Sequence, residues 1–97
     1  MDRYKILKVE GLSIRITASV IYNLFNQYGY VELIKICHQE DGISAFVQYC
    51  FHDDALIAKG FLHGLFVFGV HLKIMLTKYV NAEEIDYFEV SNNVPLF

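Results

Sequence analysis

Hydrophobic and polar residues alternate along several stretches of the chain, and this period of two predicts β-strands. The clearest stretch is DGISAFVQY, which covers residues 41–49. Its inward positions are Ile43, Ala45, Val47 and Tyr49, and its outward positions are Ser44, Phe46 and Gln48. A phenylalanine on the outward side of a strand either contacts a ligand or is covered by another part of the chain.

Three further stretches, at residues 4–10, 31–38 and 70–79, have the same alternation and are predicted to be strands of the same sheet. Their inward positions are Leu7 and Val9, then Ile34 and Ile36, then Leu72, Ile74 and Leu76. Their outward positions are Ile6, Lys8 and Glu10, then Leu33, Lys35 and Cys37, then Lys73, Met75 and Thr77. The loop HQEDG predicts a hairpin between the second and third strands.

Two helices are predicted between these strands. Thr17 is a suitable N-cap for a helix that runs to about Tyr28, and Gly29 follows it as a C-terminal glycine. Asp53 is predicted to cap a second helix that ends near His63. Their apolar stripes are Val20, Ile21, Leu24, Phe25 and Tyr28, and Ala55, Ala58 and Leu62.

The predicted order is therefore β-α-β-β-α-β, an α+β sandwich in which two helices cover one face of a four-stranded antiparallel sheet. We expect residues 1–80 to form this domain and residues 81–97 to be an acidic C-terminal extension. In the extension, Asn81-x-x-Glu84 resembles the capping box of a short helix with Ile85 and Phe88 on one side. Alternatively, Ile85 and Tyr87 belong to a fifth strand.

Composition agrees with one globular domain, because 55% of the 97 residues are apolar and 20% are charged. The net charge of −3 is unevenly placed. Residues 1–78 hold 8 Lys/Arg and 7 Asp/Glu, a net of +1, whereas residues 79–97 hold 4 acids and no base, a net of −4. The body of the domain is thus close to neutral, and nucleic acid is not excluded as a partner.

Cys37 and Cys50 are expected to be reduced thiols in a reducing compartment, since no signal peptide is evident. The histidines next to them lack the spacing of zinc ligands, so we expect no metal and no cofactor. The apolar run of residues 60–76 contains two His, one Lys and three Gly and is shorter than the ~20 residues that span a bilayer. We expect it to belong to a soluble core.

Several motifs resemble those of a known family. The spacing Ala55-x-x-Ala58-x-x-x-Leu62-x-Gly64-x-x-Val67-x-Gly69-x-x-Leu72-x-Ile74 resembles the second half of an RNA recognition motif (RRM). The junction Phe25-x-x-Tyr28-Gly29-x-Val31 resembles the end of that family's first helix. ITASVIYNLFNQYGYVELIKI, GLFVFGVHLKIMLTK and AFVQ are most similar to the branch of the polypyrimidine-tract-binding protein and heterogeneous nuclear ribonucleoprotein L.

The resemblance implies the ferredoxin-like fold and binding of short, often pyrimidine-rich, single-stranded RNA. It further implies a role in RNA processing or splicing regulation, a nuclear or nucleo-cytoplasmic location, and sister RRM domains in a longer protein. Some domains of that branch have an extra strand after the fourth, and some bind peptides with their helical face.

RRM domains stack bases on exposed aromatics of two short motifs on the central strands. The first motif aligns with residues 7–12, where Lys8 stands at the position of the aromatic residue. The second aligns with residues 42–49 and has two aromatic positions, of which the first is Ser44 and the second is Phe46. Phe46 is thus expected to lie under a base, and lysines on three strands to meet phosphates. The predicted RNA-binding residues are Lys8, Lys35, His38, Ser44, Phe46, Gln48, Lys73, Met75, Thr77, Lys78 and Tyr79.

Two other interpretations stay open. The outward face is unusually apolar, and such a patch is usually covered, so the acidic extension or a partner protein is an alternative occupant. An enzyme is the other: residues 9–15 (VEGLSIR) have a glycine-loop-arginine spacing similar to that of acylphosphatases. The second and third strands contain no asparagine to position an attacking water, so we expect no enzyme.

Overall fold

The computed structural model describes residues 4–13, 16–39, 42–67, 69–78 and 87–91. The elements are β1 (Ile6–Leu12), α1 (Ala18–Phe25) with a 3-10 turn (Asn26–Tyr28), β2 (Val31–Gln39), β3 (Gly42–Tyr49), α2 (His52–Leu62), β4 (Phe66–Val67), β5 (Val70–His71), β6 (Lys73–Thr77) and β7 (Tyr87–Ser91). Five strands form one antiparallel sheet in the order β6-β1-β3-β2-β7. The predicted α+β architecture is confirmed, and β4 and β5 add a small second ladder.

The main hydrophobic core lies between this sheet and the two helices. Every residue predicted to point inward from β1, β2 and β3 is buried in it, and Leu72 and Ile74 join them from the β6 side. A separate small cluster of Ile6, Cys37 and Phe46 lies on the other face of the sheet. The period of two therefore assigned these side chains to the correct faces.

Helix α1 begins where its sequence predicts. The Thr17 hydroxyl accepts a hydrogen bond from the Val20 amide at 3.3 Å, and this satisfies one of the free N–H groups of the first turn. Ile21 and Phe25 are fully buried. At the other end, the Tyr49 hydroxyl donates to the Phe25 carbonyl at 2.5 Å and so ties β3 to the last turn of the helix.

Gly29 follows α1 as predicted, but for a different physical reason. Its φ of 161° and ψ of 177° are extended values that any residue adopts, so it is not a left-handed helix stop. A Cβ at this position would lie 2.4 Å from the side chain of Asp54. Glycine is needed because α2 approaches the chain closely here.

Helix α2 begins two residues earlier than predicted. Its N-cap position is Phe51, which makes no side-chain capping bond, and the expected cap Asp53 lies inside the first turn beside Asp54. Carboxylates in the first turn stabilise the positive end of the helix by charge instead of by capping. The ring of His52 contacts the carbonyl of Tyr4 through Nδ1 and fixes the start of the helix against β1.

The predicted last strand is divided in two. Gly69, at a φ of +82°, lies in the turn between β4 and β5. The Leu72 amide donates to the Leu65 carbonyl and the Gly64 amide donates to the Leu72 carbonyl, and these two bonds extend that hairpin. The strand that joins the main sheet starts at Lys73. His63 Nδ1 accepts a hydrogen bond from the Ile74 amide at 3.0 Å on this edge strand, so the end of α2 satisfies a donor of the sheet edge.

Two irregularities change which side chains share a face. Between Val9 and Leu12 the register of β1 on β3 shifts, with Gly11 at a φ of +76°, and Leu12 consequently enters the core. Between Val31 and Leu33 the register of β2 on β3 also shifts. Both shifts are β-bulges, which alternation alone does not predict.

The C-terminal segment contributes a strand. β7 pairs antiparallel with β2, so Tyr87 belongs to a fifth strand and Phe88 to the same strand, not to a helix. The proposed capping box and Ile85 lie outside the described residues. Across the part of the chain that is described, no helix is long and apolar enough to cross a membrane.

Candidate nucleic-acid interface

The face of the sheet opposite the helices, here called the open face, is organised in rows across the strands. One row joins Met75, Lys8, Phe46 and Lys35 on β6, β1, β3 and β2, and Val90 of β7 is the next register position. Neighbouring strands are ~4.8 Å apart, so the two lysines flank Phe46 on the adjacent strands. A second row joins Thr77, Ile6, Gln48 and Leu33.

Phe46 lies on the open face as predicted but is only 6% exposed. It packs with Ile6 and Cys37, and the Lys8 ammonium lies 5.9 Å from the centre of its ring, a cation–π distance. A base can stack on this ring only after the groups that cover it move. Ser44, the other aromatic place of the motif, is buried as well.

Acidic side chains modify the charge of this face more than alternation predicts. Glu10 forms an ion pair with Lys8 at 3.6 Å and is the register partner of Lys73. Glu32 accepts a hydrogen bond from the Gln48 amide at 3.3 Å, because the bulge in β2 places Glu32 beside Leu33 on the open face. The sequence pattern missed Glu32 because it assumed an unbroken period of two.

Cys37 is the register partner of Ser44 and is 1% exposed. Burial raises the pKa of its thiol, and Lys35, Lys8 and a hydrogen bond with Ser44 oppose that rise without reversing it. A thiol held neutral in this way is a poor nucleophile, so Cys37 is a packing residue of the face.

The predicted residues fall into three groups. Lys8, Phe46, Met75, Thr77 and Lys78 line one open groove together. Lys35, Ser44, Gln48 and Lys73 lie elsewhere on the same face. His38 is the register partner of Ile43, whose side chain is in the main core, so the strand alternation places it on the helical side, and Tyr79 lies outside the described residues.

The groove contains one aromatic residue that sequence reasoning missed. Tyr4 precedes β1 at the same alternation as Ile6 and Lys8, and its ring is 44% exposed. The predicted strand of residues 4–10 already placed Tyr4 at the outward alternation of Ile6 and Lys8, but Tyr4 was not counted among the outward residues. Tyr30, 51% exposed, lies at the same end of the sheet, where its carbonyl accepts from the Cys50 amide, but it does not line the groove.

The residues that the structure describes include no group of three or more His, Cys, Asp or Glu able to hold a metal ion. Cys37 and Cys50 are both free thiols. What the open face offers is aromatic and apolar surface with lysines on separate strands, the combination that binds single-stranded nucleic acid.

Comparison of the sequence with protein families also indicates a nucleic-acid-binding domain. The family model described as "RNA recognition motif (a.k.a. RRM, RBD, or RNP domain)" matches residues 2–97. RNA-binding protein 47 of Danio rerio is 31% identical over 86 residues. That match covers 87% of this chain but 14% of the relative, so the chain spans a small part of that protein.

Solved structures agree on the fold. The RRM3 domain of Mip6 superposes with a TM-score of 0.71 at 17% identity, covering 76% of this chain and 94% of that one. RNA binding protein PG1 gives a TM-score of 0.70 at 22% identity, with 79% and 98% covered. The RRM domain of Puf1 from S. pombe is 33% identical, with a TM-score of 0.63 and 76% and 99% covered.

Proposed function

Because the chain belongs to the RNA recognition motif family, whose domains generally bind RNA and are not enzymes, we propose that it binds short single-stranded RNA on its open face. The observation that carries this proposal is the row in which Lys8 and Lys35 flank Phe46 on three adjacent strands. A phosphate backbone that crosses the strands meets one cation on each side of the central ring.

The affinity of this module for RNA should be modest. The face has few cations, and Glu10 and Glu32 both lie on it. A dissociation constant of about 1 μM corresponds to only about −8 kcal/mol. Sister RRM domains in a longer protein would raise the effective affinity by linking several weak contacts.

The finer parts of the proposal rest on the resemblance to the polypyrimidine-tract-binding branch. They are a preference for pyrimidine-rich RNA, a role in splicing or another step of RNA processing, and a nuclear or nucleo-cytoplasmic location. Competition between U/C-rich and A/G-rich oligonucleotides of equal length tests the first. A fluorescent fusion of the longer protein tests the last, and exclusion from the nucleus would contradict it.

The deciding experiment is an NMR titration of the ¹⁵N-labelled chain with short U/C-rich RNA. We expect the perturbed amides to lie on β1, β3 and β6, because these strands carry Lys8, Phe46 and Met75. A duplex of the same sequence is the matched control and should perturb the amides less. Shifts confined to α1 and α2, or no shift at millimolar RNA, would rule out binding by the open face.

A second candidate function is protein binding, with the open face covered. The burial of Ile6, Cys37 and Phe46 on this face favours it, since an aromatic ring that stacks on RNA bases would be exposed in the free domain. In this interpretation the acidic extension or a partner protein is the cover. The helical face offers a second surface for a protein, because Leu56, Ile57 and Phe61 of α2 are exposed.

Charge neutralisation is a better test than truncation of whether the acidic extension competes with RNA. Removing residues 81–97 would also remove β7 and uncover the edge of β2. The variant Glu83→Gln/Glu84→Gln/Asp86→Asn instead removes only charge from the extension. If acidic residues compete with RNA, the variant binds RNA more tightly at low salt; equal affinity would mean that these charges do not compete.

A further inference from the structure

The open face contains a groove along β1 and β6 that extends beyond Phe46 to Tyr4 and Lys78. Its volume is about 630 Å³, in the size range of pockets for small ligands. The residues that line it are Tyr4, Lys8, Phe46, Met75, Leu76, Thr77 and Lys78. A single nucleotide is a ligand of suitable size for such a groove.

Tyr4 is the accessible aromatic ring of this groove. It is 44% exposed, whereas Phe46 is 6% exposed beneath neighbouring side chains. Two successive carbonyls hold the backbone at Tyr4: the Tyr4 carbonyl contacts His52 Nδ1, and the Lys5 carbonyl accepts from the Tyr49 amide at 2.8 Å. An exposed ring on a fixed backbone offers a stacking surface that requires little rearrangement.

The charges around Tyr4 select an anionic ligand. Lys8 and Lys78 both line the groove, and its lining among the described residues includes no acid. Glu10 lies just outside the groove and forms an ion pair with Lys8 at 3.6 Å. Because this pair is partly exposed, it is weak, and a phosphate can take the place of Glu10 beside Lys8. Met75 adds an exposed, polarisable apolar wall. A planar base next to a phosphate combines the features that these side chains bind.

We propose that this groove binds one nucleotide of single-stranded RNA, with the base stacked on Tyr4 and the phosphate held by Lys8 and Lys78. The proposal rests on RNA binding by the open face and adds a position that the family's two stacking motifs do not include. In the free domain Lys8 lies over Phe46; in the complex it turns to the phosphate. Tyr4 thus receives the first base, and Phe46 becomes available only when Lys8 moves.

The test compares Tyr4→Ala with Tyr30→Ala, a matched exposed tyrosine at the same end of the sheet and outside the groove. Binding of a fluorescein-labelled U/C-rich pentanucleotide is measured by anisotropy, and folding by thermal melting. Loss of one base stack should weaken binding roughly 5- to 100-fold in Tyr4→Ala. Tyr30→Ala should bind within about 2-fold of wild type, and Tyr4→Phe should keep most of the affinity because it keeps the ring.

The outcomes separate this inference from the function on which it rests. Equal affinity of Tyr4→Ala and wild type, with weaker binding by Lys35→Gln, would overturn the groove and leave RNA binding by the open face intact. An equal loss in both tyrosine variants would also overturn it. Wild-type protein that binds no RNA would overturn both proposals. Upfield shifts of uridine monophosphate base protons with wild type, absent with Tyr4→Ala, would support stacking directly.

Discussion

Tyr49 shows how one side chain can determine both packing and pH dependence. Its ring is fully buried in the core, and its hydroxyl donates to the carbonyl of Phe25 at 2.5 Å. In Tyr49→Phe that buried carbonyl loses its partner, so we expect the free energy of unfolding to fall by about 1–3 kcal/mol. Chemical denaturation measures this change. Tyr22→Phe, on a half-buried ring of α1, is the control and should cost less.

The same hydroxyl should make stability depend on alkaline pH. Burial, and then the charge of Asp54 and the nearby Tyr28, raises the pKa of Tyr49 well above its usual range. Folding thus favours the neutral phenol, and this contribution is complete below the unfolded pKa of about 10 and is lost as the pH rises toward the folded-state value. Above pH ~10 wild type should lose up to about 1.4 kcal/mol per pH unit relative to Tyr49→Phe. Parallel stability curves for the two proteins would contradict this.

The sequence placed Phe46 on the outward face and left open whether it is covered, and its burial determines what its removal should do. Phe46→Ala deletes a ring packed against Ile6 and Cys37 and should destabilise the domain by about 3 kcal/mol, like other buried phenylalanines. The measurement is the free energy of unfolding without RNA. A cost below about 1 kcal/mol would show that the ring is not held by this cluster. Phe46→Leu fills more of the site and is the better variant for RNA binding.

Gly29 and Gly60 differ in the space available for a side chain, so substitution with alanine should change stability in opposite directions. Gly29→Ala places a Cβ 2.4 Å from Asp54 and should destabilise the contact between α1 and α2 by about 1–3 kcal/mol. Gly60→Ala, on the exposed side of α2 with no atom within 4 Å, should stabilise the helix by about 0.5–1 kcal/mol. Thermal melting of both variants checks the opposite signs. In an Asp54→Gly background the cost of Gly29→Ala should largely disappear.

The alternation of side chains predicted the strands and their faces well because each strand buries one face in a core. It failed at Gly11 and Glu32, where one extra residue in a bulge reverses the alternation. It also could not predict burial on the open face, because burial of Phe46 depends on neighbours from other strands. Alternation does place Tyr4 outward, but only the fold shows that it shares a groove with Met75 and Lys78.

At the scale of the whole molecule, an acidic protein that binds RNA must concentrate its few cations on one surface. Lys8, Lys35 and Lys78 are the lysines placed to meet phosphates, whereas Lys73 lies opposite Glu10. About three contacts to single-stranded RNA predict a slope near −2 for log K against log salt. From 50 to 200 mM salt the affinity should therefore fall roughly 20-fold.

Charge removal at single positions tests whether this surface, and not the net charge, governs binding. Lys35→Gln should reduce the salt slope by about 0.7, because one phosphate contact is lost. Lys59→Gln changes the net charge equally but lies in the last turn of α2 on the helical side, so the slope should stay as in wild type. Anisotropy titrations at four salt concentrations give both slopes. Equal reductions in the two variants would mean that the RNA responds to the overall charge of the domain, and the row of Lys8, Phe46 and Lys35 would then have no special role.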